Sequence, residues 1–158
     1  MRRFFCACLI LLSELAIVQA GESNGRVDSI EILETGIYEA REVARIPDDP
    51  TGSPFTRITD VQLVHRTTTI PAKIGLRFGL RYRPIGEPLG AISKLGLVVN
   101  APGLQNPVAT VYRTIGDIHH FGFTFEKTTE LLPGIWRFEI RDAKDDRKII
   151  EQQFNVVR

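Results

Sequence analysis

Between Lys73 and Arg83 the chain reads Lys-Ile-Gly-Leu-Arg-Phe-Gly-Leu-Arg-Tyr-Arg, with an apolar residue at every second position from Ile74 to Tyr82. Successive side chains of a strand leave on opposite faces, so an extended chain gathers Ile74, Leu76, Phe78, Leu80 and Tyr82 onto one side. A helix would scatter the same residues around its circumference. The other side of the predicted strand carries Lys73, Arg77, Arg81 and Arg83, separated by glycines. The pattern therefore demands a sheet with an oily inner face and a basic outer one.

The alternation recurs. In Gly134–Asp142 the residues Trp136, Phe138 and Ile140 share a face opposite Arg137, Glu139 and Arg141. In 120–127 Phe121, Phe123 and Phe125 oppose Gly122, Thr124 and Glu126, and in Lys148–Val157 the row Ile150, Gln152, Phe154, Val156 is imperfect only at Gln152. Further strands are predicted over 29–39, 59–68, 94–100 and 108–115. Loops fall at 47–54, 84–90, 101–107, 132–134 and 143–146, where Pro, Gly, Asn and Asp supply turn conformations. Glu39 to Ile46 is the best helical stretch, short and stopped by Pro47. Seven or eight short strands with loops about every ten residues predict an all-β chain, an Ig-like or fibronectin-like antiparallel β-sandwich. Its last two strands form a hairpin across 143–146, and Trp136, sharing the apolar parity, belongs in the core. The run Arg66 to Ile70, ahead of Pro71, is the most edge-like segment, a natural place for strand addition.

The first residues read as an address. Arg2 and Arg3 precede the apolar run Phe4 to Leu12, and Val18-Gln19-Ala20 offers a small residue before a cleavage point near Ala20. Glu14 interrupts the run before it reaches the length of a membrane-spanning helix. The expected organisation is a signal peptide over 1–20, a flexible N-terminus over 21–27 and one domain over 28–158, in an exported protein, periplasmic or secreted. Cleavage would remove both cysteines, Cys6 and Cys8, leaving no disulfide, thiolate ligand or cysteine nucleophile. It would also remove Arg2, Arg3 and Glu14, so that the 20 basic and 19 acidic residues of the chain become 18 and 18. That balance gives no general attraction to nucleic acid.

The words that carry a resemblance are Ile70-Pro71-Ala72-Lys73-Ile74-Gly75-Leu76-Arg77-Phe78-Gly79-Leu80-Arg81-Tyr82 with Gly86-Glu87-Pro88-Leu89-Gly90, then Gly116-Asp117, Gly122 to Glu126, Glu130 to Ile140, and the closing Lys148 to Val157. Together they resemble the bacterial domain family DUF3859 over about residues 28–158. The resemblance implies a compact, often exported bacterial β domain. It supplies no catalytic residues.

Two constellations could carry chemistry. Asp117, His119 and His120 bring a carboxylate and two imidazoles together in sequence, the ligand types of Zn²⁺ or Ni²⁺. On a strand, however, His119 and His120 point to opposite faces and can share one ion only at a turn or bulge. Lys73, Arg77, Arg81 and Arg83 form a basic row of roughly 30 Å at the strand rise, suited to an anionic glycan, a lipid headgroup or an acidic partner, or else to pairing with Glu126, Glu139 or Glu151 across strands. No phosphate loop or EF-hand pattern occurs. Asp142, Asp145 and Asp146 read as a hairpin turn. No catalytic residue and no cofactor are assigned. The expectation is a non-catalytic binding module of the cell envelope whose partner is a protein, a glycan or another envelope component; the alternative is a small metal-binding protein or enzyme using Asp117, His119 and His120.

Overall fold

The computed structural model describes residues 25–42, 58–104 and 108–158. Nine strands follow in order: β1 (Arg26–Glu42), β2 (Ile58–Arg66), β3 (Thr69–Pro71), β4 (Arg77–Glu87), β5 (Ile92–Asn100), β6 (Val108–Thr114), β7 (His119–Thr124), β8 (Gly134–Asp142) and β9 (Lys148–Val157). Among the described residues the helical content is one 3-10 turn, Thr128–Glu130. The strands form a four-stranded sheet, β2-β1-β4-β7, and a five-stranded sheet, β3-β9-β8-β5-β6. All neighbours are antiparallel except β3, which runs parallel to β9. The eight predicted strands are present, and β3 is the ninth.

The alternation builds the interior. Phe78, Leu80 and Tyr82 of β4 face Trp136, Phe138 and Ile140 of β8 between the sheets, all buried. Phe78 is the hub: its ring centroid lies 5.2 Å from Phe125, 5.3 Å from Phe138 and from Phe154, and 5.6 Å from Trp136. Trp136 is fully buried, and its indole N–H donates to the Leu132 carbonyl at 2.9 Å. A buried indole needs such a partner. Gln152, the break in the β9 row, lies opposite Phe138 and turns its amide to the Gln153 carbonyl at 2.8 Å. The closing hairpin is the expected aspartate turn: Asp142 and Asp145 accept from the backbone N–H groups of Lys144 and Arg147, and Asp146 takes a left-handed conformation.

Two expectations are corrected. Glu39–Glu42 continue β1, paired with β2 at Glu39↔Gln62 and Glu42↔Ile58, so pairing overrides their helical preference; 43–46 lie outside the described residues, as does the 47–54 loop. The first strand begins at Arg26, with Val27 already in the core. The predicted strand from Lys73 begins only at Arg77. The Leu76 N–H donates to the Lys73 carbonyl at 3.1 Å and Gly75 has φ +80°, which makes 73–76 a type II turn requiring glycine at its third position. The leader residues 1–20 lie outside the described residues. Among the described residues no helix is long and apolar enough to cross a membrane.

Candidate functional site

The outer face of the four-stranded sheet collects the predicted basic row. Parity places Arg77, Gly79, Arg81 and Arg83 of β4 outward. The register sets Glu31 beside Arg83 and Glu34 beside Arg81 on one flank, and His120, Gly122 and Thr124 on the other. Arg66 of β2 lies opposite Gly36 of β1. Lys73, in its turn ahead of β4, stands apart from the row.

The ion pairs described for Arg66, Arg81 and Arg83 run to carboxylates of β1. Arg83 donates to Glu31 at 2.8 Å, Arg81 lies 3.5 Å from Glu34, and Arg66 reaches the same carboxylate at 4.0 Å. Arg77 donates to the Thr124 hydroxyl at 2.9 Å. Glu139 and Glu151 cannot serve, because β8 and β9 belong to the other layer. There Glu139, only 5% exposed, accepts from Arg141 and from Asn100, and Glu151 accepts from Lys148 and Gln153. Arg137 of β8 lies 3.6 Å from the same Glu151. On the four-stranded layer Arg83 pairs with Glu31, and Arg66 and Arg81 share Glu34 at longer range.

At the middle of this face the registers Gly36↔Gly79 and Gly79↔Gly122 align glycines across three adjacent strands. A β-carbon at Gly36 or Gly79 would strike the carbonyl of His65 or Phe121. A β-carbon at Gly122 would stand 2.5 Å from His120 Cε1. Two rings fill the trough. Tyr38 leans back along β1, donating its hydroxyl to the Glu34 carbonyl at 3.3 Å, and His120 folds over Gly122. They meet edge to face with centroids 4.7 Å apart. Tyr38 is 2% exposed although it belongs to an outer face. Burial, with help from Glu34, pushes its phenol up to about 12. Burial beside Arg77 and Arg81 pushes His120 down to about 3, so the imidazole is neutral at physiological pH. His120 Nε2 is buried and has no hydrogen-bond partner among the described residues.

His119 takes the opposite face. Its ring lies 5.8 Å from Tyr82 in the interior, and Nε2 donates to the Thr114 carbonyl at 3.0 Å, which commits the proton to that nitrogen. Burial lowers its pKa. Asp117 lies in the turn between β6 and β7, ahead of His119. The strand thus separates the two histidines, and among the described residues no three His, Cys, Asp or Glu side chains gather as a metal site. Tyr38, Glu34 and Arg66 were not read as site residues from the sequence.

Comparison with known proteins fixes the family. The family described as "Domain of unknown function (DUF3859)" matches residues 26–156. The chain belongs to it. This DUF3859 domain is similar to an immunoglobulin-like protein from Pseudomonas aeruginosa, with 24% identity, a TM-score of 0.55, and 87% of this chain and 100% of that one covered. At that identity the likeness shows the fold, an immunoglobulin-like sandwich. A β-glucosidase from Listeria innocua overlaps at 10% identity and a TM-score of 0.39, over 86% of this chain and 16% of that one, which carries no argument. No curated protein matches the DUF3859 domain described here.

Proposed function

We propose that the protein is an exported, non-catalytic interaction module of the bacterial cell envelope, and that the outer face of its four-stranded sheet receives an anionic partner. One observation carries the reading: Arg66, Arg81 and Arg83 line, with the Glu31 and Glu34 carboxylates, a face whose middle is levelled by Tyr38 and His120. A level surface lined with guanidiniums suits a broad anionic surface or polyanion better than a small molecule, which needs a concave pocket. Export rests on the predicted leader Arg2 to Ala20. An acidic protein face and a polyanionic glycan share the recognising chemistry.

The test is retention on immobilised heparin over a salt series, followed by capture from envelope extract with wild type and with Arg81→Glu/Arg83→Glu. Salt-sensitive retention lost in the variant, with partners that depend on the same arginines, supports the reading. Retention equal in both proteins refutes it. Cell fractionation decides the export half: a protein found whole in the cytoplasm refutes that part.

A further inference from the structure

A sheet edge offers unpaired N–H and C=O groups to any strand that can align with it, and natural proteins blunt such edges. The four edges here differ. At β3 the remaining groups are spent locally: the Thr67 hydroxyl bonds both the N–H and the carbonyl of Thr69, and Pro71 has no N–H. The segment expected to add a strand is therefore closed. β2 breaks register with β1 twice and carries Asp60 in a left-handed conformation. β7 spans His119–Thr124, and its edge-facing Gly122 is buried under His120.

Among the described residues β6 lacks these defences. The bonds Ile115 N–H to Ala91 O and Gly90 N–H to Ile115 O turn residue 115 toward β5, and β5 and β6 keep unbroken register. Odd residues of β6 therefore face β5, and Val108, Thr110, Tyr112 and Thr114 face the open edge. The Thr114 carbonyl already accepts from His119, and among the described residues the Tyr112 carbonyl is held only by the guanidinium of the adjacent Arg113. The open stretch runs from Val108 to Tyr112. It contains no charge and no proline, and Val108 and Tyr112 are 61% and 59% exposed.

We infer that β6 pairs antiparallel with β6 of a second copy of this chain, on a two-fold axis through Thr110. The midpoint of the open stretch sets the axis. In that register every edge-facing residue meets an edge-facing residue: Thr110 meets its own counterpart, and Val108 meets Tyr112 of the other copy, twice by symmetry. An aromatic ring over a β-branched side chain and a central threonine pair are favourable cross-strand neighbours, and no like charges oppose. Ala109 meets Val111 on the other side of the pleat. The Arg113 guanidinium moves off the Tyr112 carbonyl. A second copy fits because the stretch reverses onto itself; the contact is small, so the dimer is weak and concentration-dependent.

The inference stands apart from the arginine face, which belongs to the other sheet. Its test needs no ligand: analytical ultracentrifugation of the purified protein over a concentration series, with Thr110→Pro and Tyr112→Lys. Thr110 spends no N–H on β5, so proline there spares the monomer's ladder while removing the central donor of the pair. Wild-type mass should climb from one protomer toward two and stop, and each variant should weaken association at least about tenfold. Circular dichroism checks that the variants keep the fold, and Tyr112→Lys decides alone if Thr110→Pro does not. A wild type fixed at one protomer, growth beyond two, or folded variants that associate like wild type each overturn the inference.

Discussion

Tyr38 of β1 and His120 of β7 meet across the intervening strand β4, ring centroids 4.7 Å apart at 78°, where β4 contributes only Gly79 between them. Two rings thus do the covering that a side chain from β4 would otherwise do. The pair joins three strands on a face that the hydrophobic core does not reach, and it holds Arg77 and Arg81 apart on either side. The stability of this face and its shape are linked through the same two rings.

Gly122 is the most sensitive point of that arrangement. In Gly122→Ala the new methyl would stand 2.5 Å from His120 Cε1, so the imidazole must leave its place against Tyr38. Overpacking of this kind costs about 1–3 kcal/mol. Urea unfolding should show that loss in the wild-type background and a clearly smaller one in a His120→Ala background, where no ring opposes the methyl. Equal losses in both backgrounds would show that the ring does not occupy the trough.

His120 also gives the fold an acid sensitivity with a defined sign. A free histidine titrates near 6.5, and burial holds His120 down to about 3 in the fold. Between those pH values the unfolded chain carries the proton and the folded chain does not. The contribution of the neutral ring is therefore complete above about pH 6.5 and is lost as the pH falls toward 3, at up to roughly 1.4 kcal/mol per pH unit for one proton. His119, lowered in the same direction, adds to the slope. His120→Phe keeps a ring over Gly122 and removes the titration beside Arg77 and Arg81. Urea midpoints at pH 7 and pH 4.5 should converge in that variant relative to wild type, and an unchanged gap would assign the acid sensitivity elsewhere.

Trp136 separates packing from hydrogen bonding in the core. Trp136→Ala empties the space beside Phe78, Phe123 and Phe125, and truncations of that size cost about 3–5 kcal/mol. Trp136→Phe keeps most of the ring contact but leaves the Leu132 carbonyl without its indole donor, a loss of about 1–3 kcal/mol. Denaturant midpoints should fall in the order wild type, Trp136→Phe, Trp136→Ala.

The core was legible because parity is local: a reader of Phe78, Leu80 and Tyr82 needs only their spacing. Trp136 could be placed in the same way. The turn at 73–76 was hidden because Ile74 and Leu76 continue the alternation through it, and Gly75 takes a positive φ that a strand glycine would not need. Glu39–Glu42 misled because their helical preference is intrinsic, whereas the pairing that overrides it comes from β2. The site was harder still. Gly36, Gly79 and Gly122 are scattered along the chain, and their alignment is a property of register, which no single segment encodes. For the same reason Arg81 could be read as outward-facing but its partner Glu34 could not be chosen.

The arginines themselves should be expendable for folding. Arg81 and Arg83 pair with Glu34 and Glu31 on a solvent-facing surface, and exposed pairs contribute at most about 1 kcal/mol each. Replacing both arginines by alanine should therefore leave the urea midpoint nearly where it was. Retention on heparin responds differently, because each lost cation removes an anion contact whose strength depends on salt. The salt concentration needed for elution should drop in Arg81→Ala/Arg83→Ala and stay unchanged in Lys73→Ala, since the 73–76 turn holds that lysine off the row. If Lys73→Ala lowers elution as much as the double variant does, attraction follows total charge, and the face defined by β4 has no privileged role.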